Sequence, residues 1–182
     1  MKKVVIVCGL IAGVLISAFM GYSMVLCYNN PDAHGLSSML VGFAAMFLAF
    51  SLVFVGIKNF RDKYNDGVIS FGKAFQIGFL ISLIASTMYV ITWYIEYHYF
   101  IPDFMDFYAA SQIKQAQEGG ASAAKIAELS KEMAEAKESY KNPIKFIGYT
   151  YAEILPVGII VSLISALILK RKPNGNRVAA HA

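Results

Sequence analysis

Polar and apolar positions fall in long blocks along this chain. Four blocks are almost free of charge. Val4–Tyr28 has 25 residues and Leu36–Ile57 has 22, neither with a charge. Ala74–Ile95 has 22 residues, with Gln76 as its strongly polar member, and Phe146–Leu169 has 24 with one acid, Glu153. About 20 apolar residues cross the hydrocarbon of a bilayer. In lipid each backbone amide must be bonded within its own segment, so each block predicts a membrane-spanning helix. Burial overrides the weak helix propensity of their many β-branched residues. No ten-residue alternation suggests a membrane barrel.

The connections read as turns and short helices. Asn29-Asn30-Pro31-Asp32 with Gly35 is turn chemistry, which makes spans 1 and 2 an antiparallel pair. Asn65-Asp66-Gly67 is a second turn, and Ser70 is placed to cap the third helix. Span 3 ends in Tyr89, Trp93, Tyr94, Tyr97, Tyr99 and Phe100, an expected interfacial belt. Ile101-Pro102-Asp103 stops it and offers Asp103 as the next N-cap. The stretch 98–145 predicts two helices. The first, Asp103–Gln117, has Phe104, Phe107 and Tyr108 available to lie on the membrane. Gly119-Gly120 breaks it. In the second, Ser122–Tyr140, Ile126, Leu129, Met133, Ala136 and Tyr140 step by 3, 4, 3, 4, an a/d seam. The seam should pack on the first helix or on its copy in a dimer. Asn142-Pro143 leads into span 4. The expected architecture is all-α: a four-span transmembrane bundle with an extracytoplasmic helical hairpin between spans 3 and 4. It divides into spans 1–3 over residues 1–97, the helical loop 98–145, and span 4 with a basic tail over 146–182.

Composition agrees. Of 182 residues, 57% are apolar and 15% charged, with mean hydropathy +0.54. Soluble domains carry about 25% charged residues. These values exclude a disordered chain, a disulfide-stapled secreted module and an ordinary cytosolic enzyme. The net charge of +4 sits in the flanks: Lys2 and Lys3; Lys58, Arg61, Lys63 and Lys73; Lys170, Arg171, Lys172 and Arg177. With four spans these share one side, so both termini are expected in the cytoplasm. The charge is then a topology signal and not a nucleic-acid footprint. The Lys2-Lys3 start is expected to lead an uncleaved span and not a signal peptide. Cys8 and Cys27, 19 residues apart on one helix, lie about 28 Å from each other and cannot pair.

Small residues recur at four-residue spacing: Gly9, Gly13, Ser17 and Gly21 in span 1; Ala74, Gly78, Ser82 and Ser86 in span 3; Gly158, Ser162 and Ala166 in span 4. Span 2 has the looser Gly42, Ala45 and Ala49. Such ridges let helix backbones approach closely where lipid supplies no hydrophobic drive. Packing within the bundle is the expected use, and a homodimer the alternative.

Two stretches carry a family resemblance. Gly67-Val68-Ile69-Ser70-Phe71-Gly72-Lys73-Ala74-Phe75, leading into a glycine-bearing span, and the Ile-Pro-Asp-Phe turn at Ile101–Phe104 resemble the DUF4199 family. The order of spans, loops and basic tail is also similar. The resemblance covers nearly the whole chain. It implies a four-span protein of a bacterial inner membrane, with no catalytic or binding residues to carry over.

Little chemistry is legible. His34, His98 and His181 lie on separate segments. No HExxH, CxxC, P-loop, dinucleotide fingerprint or serine elbow is present. Glu96, His98, Asp103 and Asp106 cluster in sequence but match no ligand spacing, so no metal or cofactor is expected. Glu153 is the candidate functional acid. An ionisable residue within a span usually marks a pathway, and Pro156 follows it within a turn. The competing reading makes Glu153 an interfacial anchor near Tyr149 and Tyr151. The expected function is a non-enzymatic interaction, scaffold or accessory protein, partnered by lipid and by a second copy or another membrane protein. The alternative is a small transporter or channel component using Glu153.

Overall fold

The computed structural model describes residues 1–29 and 36–172. Its described residues form six α-helices: α1 Lys2–Asn29, α2 Leu36–Tyr64, α3 Phe71–Ile95, α4 Phe104–Glu118, α5 Ala123–Tyr140 and α6 Pro143–Leu169. Four stretches are long and apolar enough to cross a membrane: Lys2–Val25, Leu40–Tyr64, Phe71–Phe100 and Pro143–Leu169. The helices outrun the uncharged blocks. α2 continues through Lys58 to Tyr64, and α3 starts at Phe71 and passes into a π-helical turn at Glu96–Phe100. The expected span ends marked where charge begins, and a helix can continue beyond that into the polar interface.

Sequence chemistry sets the helix ends. At the end of α2, Asp66 (φ 52°) and Gly67 (φ 75°) are both left-handed, a conformation that asparagine, aspartate and glycine tolerate. Ser70 caps α3 by accepting from Lys73 N at 3.3 Å. Ser122 caps α5 the same way, from Lys125 N at 3.3 Å. Asn142 Oδ1 accepts from Ile144 N at 2.9 Å, with Pro143 in the first turn of α6. α4 ends with Gly120 at φ 75°, Ala121 N on Ala116 O at 2.9 Å and Gly120 N on Gln117 O at 3.0 Å. That is the glycine-terminated pattern expected of a double glycine. Asp103 corrects the expectation: it stands at the cap position of α4, but its side chain makes no cap hydrogen bond.

α3 packs against α1, α2 and α6. It meets α1 in parallel at a constant offset of 75 residues. A Cβ on Gly9 would lie 2.8 Å from Ile84 Cβ, one on Gly13 2.9 Å from Met88 Cβ, and one on Gly21 3.0 Å from Glu96 Oε1. Between them, Thr92 Oγ1 lies 3.0 Å from Ser17 Oγ. Each small residue of α1 thus receives one residue of a four-spaced row on α3. Against α6 the partner numbers sum to 240, which is antiparallel pairing. A Cβ on Gly78 would stand 3.0 Å from Ser162 Cβ, and one on Gly158 2.7 Å from Ser82 Cβ. Gly158 O accepts from Ser162 Oγ at 2.7 Å and from Ser82 Oγ at 3.1 Å. Ser82 and Ser162 are both fully buried. The looser row on α2 differs: a Cβ on Gly42 would meet nothing within 4 Å.

One end of the bundle is basic. There Ile69 N bonds Arg171 O at 3.0 Å and Arg171 N bonds Ile69 O at 2.8 Å, an isolated antiparallel bridge. Arg61 Nη1 donates to Leu169 O at 3.3 Å, serving a carbonyl that the end of α6 leaves unpaired. Its Nε also donates to Asp62 at 2.6 Å.

Candidate functional site at the aromatic end

The opposite end is built on rings. Phe146 is fully buried and lies 5.2 Å from Tyr97 and from Tyr140, 5.8 Å from Tyr94 and 6.4 Å from Trp93. Trp93 meets Phe104 edge-on at 4.9 Å. These rings join the end of α3, the starts of α4 and α6, and the end of α5. Edge-to-face and offset pairs each contribute about 0.5–1.5 kcal/mol beyond burial. The expected headgroup belt needs correction here. Tyr89 and Trp93 face the interior, with 8% and 6% of their surface exposed. Phe104 covers Trp93, and Tyr108 stacks on Phe104 at 5.9 Å. Phe107, Tyr99 and Phe100 remain exposed.

α4 and α5 pack on each other, and Lys137 Nζ bonds Asp106 Oδ1. That bond holds the Lys137 ammonium above its ordinary range. The a/d residues of α5 are half-buried, and its opposite face, with Lys125, Glu128, Lys131, Glu132, Glu135 and Glu138, is exposed. His98 stacks on Tyr94 at 4.1 Å, and its Nδ1 lies 2.9 Å from Tyr94 O. The four residues clustered in sequence at 96–106 are therefore spread over separate contacts.

Glu153 stands ten residues into α6, about 15 Å from Pro143 along the axis. It is exposed at the bundle surface and lies within electrostatic reach of Tyr89 and Tyr140. Burial pushes the Tyr140 phenol upward, and the Glu153 charge adds to it. α6 runs unbroken through Pro156. Tyr151, read as a candidate belt residue, instead has its hydroxyl 2.8 Å from Thr87 Oγ1 on α3.

A second acid, considered in the sequence only within a cluster that matches no ligand spacing, is partly buried in the structure. Glu96, at the start of the π-helical turn, rests its Oε1 over Gly21, and its Oε2 is buried without a hydrogen-bond partner. It too lies within electrostatic reach of Tyr89. Ser86 Oγ, fully buried on α3, is also without a partner. The signal was present as spacing: Ser86, Tyr89, Trp93 and Glu96 step by 3, 4, 3. It was masked because aromatic residues beside a span end suggest an interface. Cys8 is buried and free. Cys27, His34 and His181 lie where side chains are outside the described residues. Among the described residues no group of three or more His, Cys, Asp or Glu side chains could hold a metal ion.

Comparison with protein families gives a match to DUF4199, a protein family of unknown function, over residues 8–171. The chain belongs to the DUF4199 family. The match takes in α2–α6 entire and α1 from Cys8 onward, so it includes both acids and both close helix contacts. Comparison with curated proteins and with solved structures gives no match. For this DUF4199 member, function has to be argued from the geometry.

Proposed function

We propose that this DUF4199 protein is a non-enzymatic membrane interaction or accessory subunit. In this reading it is a four-span protein of a bacterial inner membrane with both termini cytoplasmic. The α4–α5 pair is its extracytoplasmic helical hairpin, and its partner is a second membrane protein or another copy of itself. The observation that carries the reading is the mounting of α5. α5 packs on α4 with its a/d residues half-buried, while Tyr140 is fixed to Phe146 and Tyr97 of the bundle. The charged face of α5 is thereby displayed on a platform held to the spans by rings. Exposed charge on a rigid mount suits recognition through electrostatic complementarity.

A transporter or channel component using Glu153 is the second reading. Glu153 within reach of Tyr89 favours it. The direct Ser82–Gly158–Ser162 contact weighs against it, since α3 and α6 touch there with no room for a path between them.

The test is site-specific photocrosslinking in native membranes. A crosslinker at Glu132 should give a discrete adduct that the same probe at lipid-facing Val14 does not. Reversing Glu132 and Glu135 to lysine should weaken the adduct without lowering the melting temperature. Loss of no adduct on charge reversal, or no adduct at all, would remove the reading.

A further inference from the structure

The basic end of the bundle carries more positive charge than it pairs. Residues 58–64 and 170–172 hold Lys58, Arg61, Lys63, Lys170, Arg171 and Lys172 against one carboxylate, Asp62. That carboxylate is already engaged. Arg61 Nε donates to its Oδ1 at 2.6 Å and Nη2 to its Oδ2 at 3.1 Å. Lys58 and Arg171 also lie within electrostatic reach of Asp62. Neither side chain takes part in an ion pair among the described residues. Three cations around one satisfied acid leave two positive charges in excess at one place. The cluster is also held. Arg61 is fixed by Asp62 on one side and by Leu169 O at 3.3 Å on the other. Arg171 is pinned to Ile69 by two backbone bonds, of 3.0 and 2.8 Å, which keep it against the bundle.

An apolar face leads up to these charges. On α2, Leu48, Ser51, Val55, Lys58 and Asp62 step by 3, 4, 3, 4 and are all exposed. Ser51 does not interrupt the apolar part, because its hydroxyl is spent on Leu48 O at 2.6 Å. α2 and α6 run parallel at a constant offset of 108 residues: a Cβ on Gly158 would lie 3.1 Å from Phe50 Cζ, and Arg61 reaches Leu169. That register sets exposed Leu163 level with Val55. Lys58 follows the last residue of one uncharged block and Lys170 the last of another, so the cations stand where hydrocarbon gives way to headgroups. We propose that Lys58 and Arg171, flanking the Arg61–Asp62 pair, seat the phosphate of one anionic phospholipid whose acyl chains lie along α2 and α6 past Leu48, Val55 and Leu163. Cations beside a membrane attract anionic lipid wherever they stand. Here Arg61 and Arg171 are fixed before the lipid arrives, so less ordering is lost on binding. The excess of two charges selects an anionic headgroup over a zwitterionic one, and the apolar row selects a lipid over a soluble phosphate. The seat lies at the end of the bundle opposite α5, so the crosslinking test and the lipid test can fail separately.

The experiment uses the full chain, stripped of lipid in mild detergent and titrated with phosphatidylglycerol, phosphatidylcholine or glycerol 3-phosphate. Native mass spectrometry counts the bound molecules. One phosphatidylglycerol per chain should be retained about tenfold more tightly than phosphatidylcholine, and glycerol 3-phosphate should not displace it. Lys58→Gln and Arg171→Gln should each weaken phosphatidylglycerol about fivefold. Arg171 joins the bridge through its backbone, so its variant keeps that contact. Lys63→Gln removes the same charge about 140° around α2 from Lys58. Lys63 is not among the cations acting on Asp62, and its variant should bind as the parent does. Equal weakening by all three variants would reveal a diffuse basic flank and overturn the proposal. So would equal retention of the two phospholipids. Displacement by glycerol 3-phosphate would assign the cluster to a soluble anion and overturn it as well.

Discussion

Gly13 of α1 faces Met88 of α3 so closely that a Cβ on the glycine would lie 2.9 Å from the methionine Cβ. The methionine chain can swing aside, but its Cβ is fixed to the backbone. Gly13→Leu should therefore force the helices apart and cost about 1–3 kcal/mol by overpacking. A lower melting temperature in detergent is the expected readout. Gly42→Ala is the control: its Cβ meets nothing within 4 Å, and alanine favours a helix by up to about 1 kcal/mol. It should melt at or above the parent temperature.

The α3–α6 contact can be measured as a coupling. Ser82→Ala and Ser162→Ala each remove a hydroxyl from the shared Gly158 carbonyl. Interhelical polar contacts in membranes average about 0.6 kcal/mol, with a ceiling near about 1.7. A double-mutant cycle should return a coupling within that range. A zero coupling would mean that shape alone holds the two helices.

Topology follows from the flanking lysines and arginines. Alkaline phosphatase fused at Gly120 should be active and the same fusion after Ala182 inactive. The reverse result would turn the whole arrangement over.

Glu153 separates the two functional readings. Glu153→Gln keeps shape and hydrogen-bonding capacity, so expression and melting should match the parent. Glu153→Lys should also fold, because the residue is exposed and lysine can extend its ammonium toward the headgroups. Loss of insertion with lysine would place the acid deeper than its surface position suggests.

The α4–α5 platform should be labile to alkali. Lys137, bonded to Asp106, and Tyr140, buried among rings, both hold their protons more tightly in the folded protein than in the unfolded chain. The stability they contribute is complete below the unfolded values of about 10–10.4 and is lost as pH rises through the higher folded values. Near-ultraviolet circular dichroism of the tyrosines should therefore change above about pH 10.5, at lower pH in Lys137→Met than in the parent.

How much of this was legible depends on how local each property is. Uncharged length is local, so the four long helices were plain from Val4–Tyr28 and its three counterparts. Caps are local too, and Ser70 reads as one in sequence and acts as one in the structure. Asp103 reads the same way but fails, because the backbone at φ −92°, ψ 9° does not take the extended form that a capping side chain needs. Pairing is not local. The four-spaced glycines of α1 announce a close contact without naming Ile84, Met88, Thr92 and Glu96 as its other half. Glu96 was hidden for a related reason: whether a carboxyl at a helix end meets water or a neighbouring helix depends on a register that only folding sets. Glu153 was visible because it interrupts an apolar run.

The bridge between Ile69 and Arg171, with the bond from Arg61 to Leu169 across 108 residues, can form only once the end of α6 has been made. Synthesis delivers α1, α2 and α3 first, and the parallel seating of α3 on α1 needs nothing that comes later. The α6-facing row of α3, with Ser82 at its centre, must then wait in the bilayer while α4 and α5 are made. Arg61 holds no helix end until Leu169 arrives. The last turn of α6 therefore ties its end to the ends of α2 and α3, joining three helices at the basic end.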